Sequence, residues 1–217
     1  MDLHREAEEH LRTIRTLMER ATVYRAISAP TAAIAGFLSI GCGLIPENRL
    51  IVAGGWGFKA LWLTVLVVVL AANAWLIRRN ALRRGDPFVS PAMRMALLAV
   101  APHVLVALLA TIVLPPSVLP PTWMLCYGFA LLATQSFAPP IIALFGWIFL
   151  IYGLCNGLYD LCGNPGAGGF DQSDGPALIF TSPQHQMIGS FGVLHLIYAI
   201  LAREVGGQRI AGAEGTT

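Results

Sequence analysis

Two histidines, His103 and His195, each fall near the middle of a long apolar segment. An ionisable side chain is costly to hold at bilayer depth, so such a residue marks a site by default, with a partner nearby. Their matched depth raises two chemistries. Neutral imidazoles from facing helices can be the axial ligands of a b-type haem. A buried histidine can equally hydrogen-bond across a bundle and hold helices together. His195 has more around it than His103. At about 100° per residue, Gln184 lies about 20° from His195 on a helical wheel, with Phe191 and Tyr198 on adjoining turns. A polar and aromatic stripe of this kind is the expected lining of a mostly apolar small-molecule pocket. The candidate ligand-binding residues are therefore His195, Gln184, Phe191, Tyr198 and His103. On the plainer reading, Gln184, His185 and Gln186 form only an interfacial cap.

Other residue types capable of chemistry carry less. Cys42, Cys126, Cys155 and Cys162 are the four cysteines. Residues 155 and 162 stand about 10.5 Å apart along an unbroken helix, whereas a disulfide needs Cα atoms within about 7 Å. They can pair only if the helix ends early, near Asn156 and Gly157. Metal binding by these thiols with His185 and Asp160 matches no zinc spacing such as Cys-x-x-Cys, so no metal site is assigned and free thiols are expected. Asp160, Asp171 and Asp174 lack the compact alternation of a calcium loop. The run Cys162-Gly163-Asn164-Pro165-Gly166 lacks the strand and helix that flank a phosphate-binding loop. No Gly-x-Ser-x-Gly or His-Glu-x-x-His signature occurs, so a non-enzymatic role is expected.

The elements that must position these residues follow from composition. The chain is 56% hydrophobic and 12% charged, against roughly 25% charged for a soluble domain, and its mean hydropathy is +0.66. This describes an all-α polytopic membrane protein. Its 217 residues leave no room for a large soluble domain beside several spans. The net charge of +2 arises from local asymmetry, which excludes nucleic acid as a partner.

Six spans are expected, at about 26–45, 58–77, 92–114, 122–137, 141–159 and 183–202. They form a membrane domain over 25–205, between an N-terminal segment 1–24 and a tail 206–217, with one long acidic, glycine-rich loop at 160–182. Trp56 and Trp62 bracket the start of the second span like an interfacial belt. Asn73 is expected to hydrogen-bond between helices. Ser28, Ala32 and Gly36 form a row of small residues, and Gly153 and Gly157 a Gly-x-x-x-Gly pair, both suited to close helix packing. Ser90 and Pro91 provide a cap and first-turn proline for the third span.

Arg78, Arg79, Arg83 and Arg84 read as a basic turn after the second span, followed by Arg94. Twelve of the fourteen basic residues fall in 1–25, 78–94 and 203–217, leaving only Arg49 and Lys59. Since loops rich in Lys and Arg stay cytoplasmic, both termini are expected in the cytoplasm of a bacterial inner-membrane protein, with the acidic loop in the periplasm.

Before the first span, Leu3, Ala7, Leu11, Ile14, Met18 and Ala21 recur every three or four residues and make an amphipathic helix. Its other face carries nearly cancelling charges. That suits packing on a partner helix or on a second copy through residues 3–21 better than the mainly basic face of a lipid-surface helix.

Leu17-Met18-Glu19-Arg20-Ala21 before the first span, and Phe191-Gly192-Val193-Leu194-His195-Leu196 in the last, resemble the two ends of a set of bacterial multi-pass membrane proteins. The resemblance implies a polytopic inner-membrane fold with a cytoplasmic lead-in helix, and no activity. The functional expectation is an integral membrane sensor or accessory subunit. It would bind a small apolar or amphipathic ligand in the bundle and a protein partner through its N-terminal helix. The alternatives are an electron-transfer protein holding haem b between His103 and His195, and a small transporter.

Overall fold

The computed structural model describes residues 29–50, 55–84, 91–136, 138–163 and 182–203. The amphipathic segment at 3–21, Asp171, Asp174, the side chains of Asp160 and Cys162, and the C-terminal tail lie outside the described residues.

Every described element is helical, as the bilayer demands of apolar chain that must satisfy its own backbone groups. In order they are α1 (Ala29–Gly43), the short α2 (Glu47–Leu50), α3 (Trp56–Arg84), α4 (Pro91–Val113), α5 (Leu119–Ala133), α6 (Pro140–Gly163) and α7 (Pro183–Arg203). Proline opens several of them: Pro91 is the first residue of α4 and Pro140 of α6. In a first turn the missing N–H has no intrahelical role and the fixed φ is already helical. Ser182 caps α7, its hydroxyl accepting from the His185 amide at 3.3 Å.

Four helices, α3, α4, α6 and α7, are long and apolar enough to cross a membrane. The remaining two apolar helices, α1 and α5, have 15 residues each. At 1.5 Å per residue they are about 22 Å long, short of a hydrocarbon core of about 30 Å. The chain therefore has the character of a membrane protein, with two of the six expected spans shorter than full thickness.

The second expected span also differs. Residues 78–84 form no turn: α3 runs on through Arg84, and Arg78, Arg79 and Arg83 are exposed on its last two turns. Arginine is a good helix former, so nothing in this stretch ends the helix before Gly85.

Packing builds one bundle from two runs of neighbours. α4 packs on α5 and α5 on α6, while α1 packs on both α7 and α3. The α5–α6 seam is closest where Gly128 faces Gly146; a Cβ on Gly128 would lie 2.9 Å from the Gly146 carbonyl oxygen. The small-residue row of α1 behaves in the same way towards α7, with a Cβ on Gly36 falling 2.9 Å from the Gly192 oxygen. Gly153 faces Met124 and Pro121 of α5. Asn73 accepts a 3.0 Å hydrogen bond from the Thr31 hydroxyl, joining α3 to α1.

Two apolar clusters result. Ala32, Met124, Ile142, Phe145, Phe149, Tyr198 and Ala199 fill one. Phe58, Trp62, Val65, Leu119 and Met187 fill the other.

The last helix departs from regular geometry. After one α-helical turn, Pro183–Met187, the segment Ile188–Leu194 is π-helical, and α-helix resumes at His195. A π turn closes i→i+5 bonds and so takes in an extra residue. Everything after it is rotated by about 100° relative to a continuous α-helix.

Candidate functional site

The π segment decides what the last helix presents. Gln184, before it, is buried and ties the bundle together at one end. Its Oε1 accepts from the Trp62 indole of α3 at 2.9 Å, and its Nε2 donates weakly to the Ile45 carbonyl, just past α1, at 3.4 Å. Trp62 packs on Phe58, and Phe58 stacks on Trp123 of α5 with ring planes 8° apart. The Trp123 indole in turn donates to Thr111 Oγ1 of α4 at 2.9 Å. One chain of rings and hydrogen bonds thus runs from α4 through α5, α3 and α7 to the end of α1.

His195, after the π segment, faces elsewhere. Its Nε2 shares a 3.1 Å hydrogen bond with the Tyr127 hydroxyl of α5. The Tyr127, Phe149 and Phe191 rings surround it with centroids 5.5, 5.7 and 5.9 Å away. Tyr127 also meets Phe149 edge-on at 4.8 Å, so the three aromatics form a continuous wall from α5, α6 and α7. The imidazole is half-buried, with Nδ1 sealed from solvent and without a well-formed hydrogen bond. The Ser190 and Phe191 carbonyls approach the ring. The π segment packs tightly on both sides: Ile188 and Gly192 lie against Gly43 and Ile40 of α1, and Gly189 against the Tyr152 hydroxyl of α6.

The stripe expected from the helical wheel is therefore divided. His195 and Phe191 share one aromatic cage. Tyr198, one turn on, packs edge-on against Phe145 at 5.0 Å. Gln184 belongs to the Trp62 tie and not to the His195 pocket. Constant rotation of about 100° per residue fails over Ile188–Leu194, and that is why the 20° coincidence of Gln184 with His195 dissolves.

His103 lies apart from His195. Its ring stacks on Phe129 at 6.3 Å. Phe129 and Tyr127 are two residues apart on α5, about 200° around the helix, so the two imidazoles sit against opposite faces of that helix. His103 Nδ1 is 3.2 Å from the Ala99 oxygen, the carbonyl four residues back on its own helix, whereas the carbonyl that Pro102 deprives of an N–H is that of Leu98. Paired axial ligation needs both rings on one haem, and the structure does not bring them together.

The cysteine question also resolves along the helix. α6 continues unbroken past Asn156, whose amide donates to the Tyr152 carbonyl at 2.7 Å. Cys155 is exposed and free, and Cys42 and Cys126 are free as well. Among the described residues no group of three His, Cys, Asp or Glu side chains could hold a metal ion.

Tyr127 and Phe149 are the site residues that sequence reasoning missed. An aromatic residue inside an apolar span reads as core filling, and only the hydrogen bond to His195 distinguishes Tyr127. Comparison of the chain with family models, curated proteins and solved structures found no match, so the resemblance of residues 17–21 and 191–196 carries no family assignment.

Proposed function

We propose that this chain is a bacterial inner-membrane sensor or accessory subunit that binds a small apolar or amphipathic molecule against the cage of Tyr127, Phe149, Phe191 and His195. The observation that supports it is His195 itself: an imidazole at mid-helix depth, walled by three aromatic rings and anchored on one nitrogen by Tyr127. A mostly apolar wall with one oriented polar group is the usual composition of a small-molecule site, and π segments recur at functional positions. In this reading the chain passes six times through the membrane with both termini cytoplasmic. Residues 3–21 then carry the occupied state to a protein partner.

The test is mass spectrometry of organic extracts from the purified protein. The parent should carry a stoichiometric apolar species that is depleted in folded His195→Leu and Tyr127→Phe. Extracts of identical composition from all three proteins would overturn the proposal. Deleting residues 1–21 should abolish co-purification of the partner while leaving the extracted species in place.

A further inference from the structure

The first turn of α3 holds an unusual cation. Lys59 is only 6% exposed, and its ammonium lies 4.8 Å over the ring of Trp56, the first residue of the helix. A lysine stem can be buried along apolar surface while its ammonium stays at the polar boundary, within reach of an anion. The side chain also runs back towards the helix N-terminus, as helical side chains do. There the orphan amides of the first turn and the positive end of the helix dipole favour the same kind of ligand.

A second cation stands at the same corner. Arg49 is exposed on α2, which packs on α3, and the Leu50 carbonyl lies against Gly57. Arg49 and Lys59 are the two basic residues outside 1–25, 78–94 and 203–217, and the fold puts both at one end of α3.

The rest of α3 says what the anion is attached to. Trp56, Ala60, Thr64, Val67, Ala71 and Trp75 recur every three or four residues and are all exposed. Small side chains thus lie along one helix face between two tryptophans. The tryptophans are 19 positions apart, about 28 Å along the axis, close to the hydrocarbon thickness of about 30 Å. At the far end Arg79 lies 5.4 Å over Trp75, so a cation stacked on indole marks each membrane surface. A free phosphate would use only the charged corner; a phospholipid would use the corner and the apolar face below it.

We propose that Lys59, Arg49 and the first turn of α3 form a binding site for the phosphate of an anionic phospholipid, whose acyl chain lies along the face from Trp56 to Trp75. This surface is separate from the His195 cage and stands whether or not that cage holds a ligand.

The experiment uses the full chain reconstituted in phosphatidylcholine vesicles containing phosphatidylglycerol, then released into mild detergent for native mass spectrometry. The parent should retain phosphatidylglycerol in preference to phosphatidylcholine. Lys59→Gln should lower that preference by roughly fivefold or more, the effect of one cation near a lipid surface, and Lys59→Arg should restore it. Arg49→Gln, at an exposed position where folding is not at stake, should lower it by a few-fold. Unchanged preference in both glutamine variants would overturn the proposal. So would displacement of the lipid by millimolar inorganic phosphate, which would assign the corner to a soluble anion.

Discussion

Gln184 and His195 show how differently two polar residues of one helix are used. Gln184 is fully committed to holding helices, because its Oε1 is the acceptor for the buried Trp62 indole. Removing it leaves that N–H without a partner in an apolar setting, where an unmade bond is the expensive outcome. A double-mutant cycle on Trp62→Phe and Gln184→Leu, followed by reversible denaturation in detergent, should give a coupling of about 0.6–1.7 kcal/mol, the range for hydrogen bonds between membrane helices. Coupling near zero would show that the tie contributes nothing. His195 makes its one well-formed side-chain hydrogen bond through Nε2. Loss of the Tyr127 hydroxyl should therefore register in what the cage retains more than in bundle stability.

At the scale of the element, the π segment Ile188–Leu194 sets the register of α7. Deleting one residue within it, with Val193 chosen because it is 43% exposed, should allow a continuous α-helix and turn everything after it by about 100°. The Trp62–Gln184 bond lies upstream and should persist, while residue 195 should leave Tyr127. A short bifunctional thiol reagent checks this: Tyr127→Cys and His195→Cys, with the native cysteines replaced, should cross-link in the parent length and fail to do so after the deletion. Equal cross-linking in both would mean that the π geometry does not orient His195. The same helix shows why small residues matter here. Gly36 and Gly192 let α1 and α7 approach to backbone contact, and van der Waals packing of this kind drives helix association in lipid.

At the scale of the molecule, the two short helices decide topology. α5 can be short because it is surrounded, with α4, α6 and α7 packed on it, so protein and not lipid matches its length. With α1 and α5 both crossing, the segments 85–90 and 164–181 lie on opposite sides of the membrane. With only α3, α4, α6 and α7 crossing, the same two segments lie on one side. Reporter fusions at positions 87 and 170 distinguish these. A cytoplasmic reporter active at 87 and a periplasmic reporter active at 170 is the outcome expected of six passes, and matching compartments would show that α5 does not cross and overturn six.

What the sequence determined by itself was the class of molecule, through composition, and the approximate placement of six apolar helices, through hydropathy and the prolines that open them. Small residues that mark close packing were also legible: Gly36 and Gly153 face neighbouring helices as their spacing implies. These are local properties, fixed by side-chain size and by the bilayer's demand for internal hydrogen bonds. The tertiary structure decided the rest. A π turn depends on how α7 packs between α1 and α6, so no helical wheel could reveal that Gln184 and His195 face apart. Likewise His103 and His195 share a depth but not a face of α5, because depth follows from position along a helix and facing follows from the rotation of every helix between them. Lys59 shows the same division: its charge and interfacial position were plain in the chain, while its burial against Trp56 came only with the fold.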